Sequence, residues 1–133
     1  MNLIVDANIL FSALIKNSLT SELLFNENFK LYTCEFIIDE FLKYESLILK
    51  KTHRNKSEFI EFMHQLKSVI TIIPKEEYFY YFKKAKLISP DPNDFIYFAL
   101  ALKMKACIWS NDKKLKEQNI IKIYSTDELI TLI

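Results

Sequence analysis

Five short apolar runs, each handed on to a helical pattern, constrain this chain more than any other feature. The runs are Asn2–Val5, Phe29–Cys34, Val69–Ile73, Ala106–Trp109 and Ile120–Tyr124. All are too short for helices and rich in β-branched or aromatic residues, so they read as buried strands. Between them lie helical patterns: Asn8–Ile15, Ser18–Asn26 with Thr20 or Ser21 as N-cap, a long helix from Glu35 to Lys50, and a helix with the stripe Phe59, Phe62, Met63, Leu66. Further on come a Tyr/Phe-rich helix from Glu76 to Leu87, an apolar helix opening at Asp91-Pro92, a short polar helix over Lys113–Gln118 and a last helix capped by Ser125. Strand and helix alternating in this way predict an α/β fold in three α/β/α layers, with a parallel sheet of about five strands covered on both faces. No linker, repeat or low-complexity segment interrupts residues 1–133, so a single domain is expected.

The chain contains no glycine. The phosphate-cradling P-loop and the dinucleotide fingerprint both need glycines to bring backbone against phosphate, and a G-x-S-x-G nucleophile elbow needs them for its turn. All three are excluded. Cys34 and Cys107 are far apart and form no C-x-x-C pair, while His53 and His64 read as surface residues, so a structural zinc site is not expected. The thiols read as free and buried, as suits a reducing compartment. The net charge of +1 gives no general attraction to nucleic acid, so any such contact must come from local patches. With no signal peptide and no run long enough to cross a bilayer, a cytoplasmic protein without membrane contact is expected.

Carboxylates stand where ligands bind in open α/β sheets, at the carboxyl ends of strands. Asp6 ends the first apolar run and Asp112 lies just past the fourth. In S-P-D-P-N-D, Asp91 can cap a helix that Pro92 opens, and Asp94 falls in its first turn. In the long helix, the stripe Ile37, Phe41, Tyr44, Ile48 contains Glu40, which therefore points inward, while Asp39 points out. Each acid also has a plain structural reading as a helix cap or rim residue. Asp127 and Glu128 are read as structural, since Ser125 and Glu128 form a capping box.

Four acids gathered at one edge would repel one another. Two charges about 5 Å apart cost roughly 3 kcal/mol at an effective dielectric near 20. Protons or a cation must relieve this, and oxygen-only ligands suit Mg²⁺ or Mn²⁺, which serve phosphodiester hydrolysis without a His, Ser or Cys nucleophile. The polar turn Thr52–Ser57 joins two helices into a hairpin whose basic tip carries Lys50, Lys51, Arg54 and Lys56. Those residues, with Lys113, are the candidate contacts to a phosphate backbone, although a charge run is also an ordinary solvated turn.

The pieces I-V-D-A-N, I-I-D-E-F-L, P-N-D-F-I-Y-F-A-L-A-L and I-W-S-N-D occur in an order that resembles the PIN-domain proteins, in particular VapC-type toxins and related stand-alone PIN proteins. The resemblance implies that Asp6, Glu40, Asp94 and Asp112 are the catalytic, metal-binding acids, that Asn8 and Ser110 support them, and that Asp91 is a secondary acid. It further implies a Mg²⁺- or Mn²⁺-dependent endoribonuclease acting on single-stranded or structured RNA, a homodimer, and, for a toxin, a protein antitoxin as partner. One departure is the loop before Asp112, where Asn111 stands and glycine is missing. Two other readings remain. A PIN-fold module that binds RNA or protein without cutting would be indifferent to EDTA, and a receiver-type phosphoacceptor would need a lysine at a strand end, which is not found.

Overall fold

The computed structural model describes residues 1–15 and 18–133. Its strands are β1 (Asn2–Val5), β2 (Lys30–Cys34), β3 (Ile70–Ile73), β4 (Cys107–Trp109) and β5 (Ile123–Tyr124). They form a single parallel sheet in the order β3-β2-β1-β4-β5. The helices are α1 (Ala7–Leu14), α2 (Ser18–Leu24), α3 (Phe36–Lys43), α4 (Glu45–Thr52), α5 (Lys56–Val69), α6 (Phe82–Ile88), α7 (Phe95–Met104) and α8 (Thr126–Ile130). They flank the sheet, giving the expected α/β/α layers.

The order makes β1 the central strand, and it is apolar on both faces as a doubly covered strand must be. Leu3, Ile4 and Val5 are wholly buried, as are Ile108 and Trp109 beside them on β4. From β1 the chain moves outward to β2 and β3, then returns past β1 to β4 and continues to β5. Right-handed crossovers put the helices of these two halves on opposite faces, so the direction of winding reverses between β1 and β4. At that reversal the strand ends splay their connections apart and leave a crevice at the carboxyl edge.

Four elements differ from the sequence expectation. The helix foreseen from Glu35 to Lys50 is two helices that meet at Tyr44, whose backbone leaves helical geometry at φ −104°, ψ 20°. Ile37, Phe41 and Ile48 stay buried across the junction, but Tyr44, counted in their stripe, turns out to solvent. Thr20 and Ser21 lie inside α2 rather than capping it. The helix foreseen from Glu76 to Leu87 is two 3-10 turns, Lys75–Glu77 and Phe79–Tyr81, followed by α6. Aromatic residues lose side-chain freedom in a helix, and a run of them weakens it. Finally, β5 is only its last two residues, because the Gln118 side chain ties Leu115, Ile120 and Ile121 into a turn.

Among the described residues two non-glycine positions have positive φ, His53 and Lys105, both at helix C-termini where glycine is the usual occupant. A chain without glycine must place ordinary residues there. The turn after His53 is then secured by Asn55, which forms a reciprocal capping box with Glu58 at the start of α5.

Candidate functional site

Three carboxylates converge at the crevice. Asp91, Asp94 and Asp112 each offer a ligand oxygen, and these atoms all lie within 4.8 Å of one another. Local backbone chemistry places each one. Asp91 accepts from the Asn93 amide at 2.9 Å and caps the 3-10 turn Pro92–Asp94, which leads into α7. Asp112 accepts from the Lys114 amide at 3.0 Å, and its own amide donates to the Ser110 hydroxyl at 3.1 Å. Asp94 makes no capping bond.

Asp6 stands behind the three, 6% exposed at the end of β1. One of its oxygens accepts from the Ile9 amide at 3.0 Å and caps α1. Burial pushes its carboxyl above the usual range; hydrogen bonds from Ser110 and the Ile9 amide oppose this, and the charge of Asp112 adds to it. Asp94 is pushed up to about 6, first by burial and then by the charges of Asp91, Asp112 and Asp6, with Lys114 pulling the other way. The four aspartates therefore share one electrostatic neighbourhood. Among the described residues none of the four is in an ion pair, and Lys114 offsets the repulsion only in part.

Capping and cation binding are compatible here. A carboxylate has two oxygens, and a cap occupies one of them. The donor set is oxygen alone, crowded and short of positive charge, which fits a hard divalent cation such as Mg²⁺ or Mn²⁺. The groups that would hold it are Asp91, Asp94 and Asp112, with Asp6 adjoining.

The structure ranks the expected residues differently from the sequence. Asp91, given a secondary part, belongs to the tight group, whereas Asp6 and Glu40 lie outside it. Glu40 is half-buried on α3. It shares a helix face with Phe36, four residues earlier. The Phe36 ring is 6.5 Å from that of Tyr97, whose hydroxyl accepts from the Ala7 amide beside Asp6 at 3.1 Å. Glu40 is four residues from Phe36 on α3 and does not join the three carboxylates. Asn8 is exposed and supports Asp6 through its backbone amide. Ser110 is buried and bridges Asp6 and Asp112.

The hairpin tip is placed away from the acids. The Arg54 Nε donates to the Leu14 carbonyl at 2.9 Å, and its guanidinium lies 5.4 Å from the Phe62 ring. Arg54 is therefore occupied at the C-terminal end of α1, one helix length (about 12 Å) from the end that Asp6 caps. Lys50, Lys51 and Lys56 are exposed around it, and Lys113 is exposed beside Asp112.

Sequence reasoning missed Tyr97, Lys114 and the bracing of the Asp112 loop. Tyr97 is buried, its hydroxyl held protonated by burial and by the nearby charges of Asp6 and Asp94. Its spacing three residues after Asp94 on an apolar helix was the available signal. The loop is braced by Asn111, whose side chain accepts from the Thr126 amide at 2.8 Å, and by Trp109, which donates to the Thr126 hydroxyl at 3.0 Å. Asn111 has no positive φ, so this turn does not require the missing glycine.

A family description, PIN domain, matches residues 4–129, and the chain belongs to the PIN-domain family. Among solved structures it is similar to a chain of VapBC2 from Rickettsia felis bound to a DNA fragment from its promoter, with a TM-score of 0.70, 17% sequence identity, 94% of this chain covered and 98% of that one. At that identity the likeness is one of fold. A search of curated protein sequences finds no match. No helix among the described residues is long and apolar enough to cross a membrane.

Proposed function

We propose that this protein is an endoribonuclease that depends on Mg²⁺ or Mn²⁺ and hydrolyses RNA phosphodiester bonds at the crevice between β1 and β4. One observation carries the reading: ligand oxygens of Asp91, Asp94 and Asp112 within 4.8 Å of one another, with buried Asp6 in electrostatic reach of Asp94 and Asp112. Family membership adds support, since the acids fall within the matched residues.

A divalent cation bound there supplies positive charge and Lewis acidity for attack of water on phosphorus. The side chains account for the rest. Asp91, Asp94 and Asp112 would hold the cation, whose charge would relieve the repulsion that raises the Asp94 carboxyl. Ser110 ties the Asp6 carboxylate to the backbone of Asp112. Tyr97, itself buried, anchors the first amide of α1 beside Asp6. Glu40, half-buried on α3, is proposed as a further acid of the site.

Replacing Asp94 or Asp6 by Asn is expected to lower cleavage of single-stranded RNA in Mn²⁺ by at least a hundredfold, with an unchanged far-UV circular dichroism spectrum. Variants that cut as fast as the parent would overturn the assignment. A binding module without turnover is the second reading, and it is the correct one if the parent retains RNA and EDTA changes nothing.

The solved neighbour comes from a VapBC2 assembly, which supports a toxin–antitoxin role with a protein antitoxin as partner. An apolar groove of about 350 Å³ between α1 and α4, lined by Phe11, Ile15, Tyr44 and Leu47, is the surface on which to seek that partner. Self-association as a homodimer belongs to the same proposal and is read by light scattering.

A further inference from the structure

The segment from β3 to α7 is only partly absorbed by packing. Tyr78 is buried and Phe82 half-buried, but Phe79 is 42%, Tyr80 78% and Tyr81 36% exposed. Exposing three consecutive large rings forfeits apolar burial, and a contiguous patch of this kind marks a contact surface. The Phe79 and Tyr80 rings already lie against each other, centroids 4.0 Å apart and planes inclined by 32°.

Ring contacts join this ledge to the start of α7, beside Asp94. The segment leaves the carboxyl end of β3, the outer strand of the sheet, and finishes among the carboxylates at Asp91 and Asp94. Phe82, next after Tyr81, meets the Phe95 ring edge-on at 5.1 Å, and Phe95 is next after Asp94. Charge points the same way. From Tyr78 to Pro90 the chain carries Lys83, Lys84 and Lys86 and no acid, while Glu76 and Glu77 lie on the turn before it. Lys86 is drawn over Phe95 at 4.9 Å, which leaves Lys83 and Lys84 exposed on α6 beside the rings.

We propose that Phe79, Tyr80 and Tyr81, with Lys83 and Lys84, form a platform that stacks unpaired bases and holds the phosphates of a single-stranded RNA leading to the carboxylates. Flat rings take any base by its face, and the lysines take the backbone, which is the chemistry of single-strand binding without sequence readout. In a duplex the base faces are covered by their neighbours, so the platform selects single strands. The inference rests on the ribonuclease reading for its direction, but binding and cleavage test the two separately.

The test uses the full chain in EDTA and a fluorescein-labelled, unstructured RNA of twelve nucleotides, followed by anisotropy. Combined Phe79→Ala and Tyr80→Ala changes are expected to weaken binding about tenfold or more. Tyr80→Trp should keep parental affinity, and Lys83→Ala with Lys84→Ala should flatten the salt dependence. A duplex of the same sequence should bind more weakly and be indifferent to the ring changes. Unchanged affinity of the alanine variants for the single strand overturns the platform, as does a loss of self-association or of protein binding with RNA affinity intact. If the rings govern binding but the parent never cuts in Mn²⁺, the ribonuclease reading falls and the platform stands. If the parent cuts and the rings do not affect binding, the reverse holds.

Discussion

Asp94 is where the electrostatic tension of the crevice is most visible. Burial and the neighbouring aspartates push its folded-state carboxyl up to about 6, against an ordinary value of about 3.9 for a free aspartate. As pH rises from about 4 to 6 the unfolded chain gives up this proton before the folded one does, so the unfolded state binds fewer protons and stability falls. The stabilisation is complete below the lower value and gone above the upper. Asp94→Asn mimics the neutral form throughout. In EDTA at pH 7.5 this variant should therefore be more stable than the parent by about 1 kcal/mol, a figure discounted because the group is partly solvated. The difference should shrink toward pH 4, and Mn²⁺ should raise the melting temperature of the parent more than that of the variant. A variant less stable than the parent at both pH values would contradict the account. The same residue shows what one-dimensional reading can reach. Asp6, Asp94 and Asp112 were recognisable as acids at element ends, but which three carboxylates touch depends on side-chain directions. These promoted Asp91 and left Glu40 apart, because a helix-face argument gives an orientation and not a distance.

At the scale of elements, termini follow local chemistry closely. Asn55 with Glu58 and Ser125 with Glu128 both close reciprocal caps, and only the second was noticed in the sequence. The break at Tyr44 had no proline or glycine to announce it, and the periodicity of Ile37, Phe41 and Ile48 runs through it unchanged. The aromatic run after Pro74 misled for the opposite reason: its spacing suited a helix, but solvent-facing rings cannot supply the packing that such a weak helix former needs. Lys105 closes α7 at φ 52°, ψ 49°, a conformation unfavourable for a residue with a Cβ. Lys105→Gly should raise stability by about 1 kcal/mol, measured by urea denaturation, since glycine occupies that region without the steric cost. No gain, or a loss, would mean that the lysine side chain contributes something the backbone argument omits.

For the molecule as a whole, sheet order was the part that alternation of strands and helices did not supply. Alternation predicts parallel strands and two helical layers, and both are present; it does not say that β1 sits between β2 and β4. That arrangement makes the centre of the sheet and the floor of the crevice one object. Ile4→Ala, in the middle of β1 and wholly buried, should cost about 3 kcal/mol and reduce the proposed cleavage only to the extent that the protein unfolds. Activity lost at a temperature where the variant is still folded would show that β1 tunes the acids directly. The central position of β1 has a further consequence for synthesis. Its neighbour β4 and the last of the converging aspartates are made late, so a ribosome partway along the message carries a nascent chain with half a sheet and a scattered set of acids. The crevice is therefore completed only when most of the sequence has been translated.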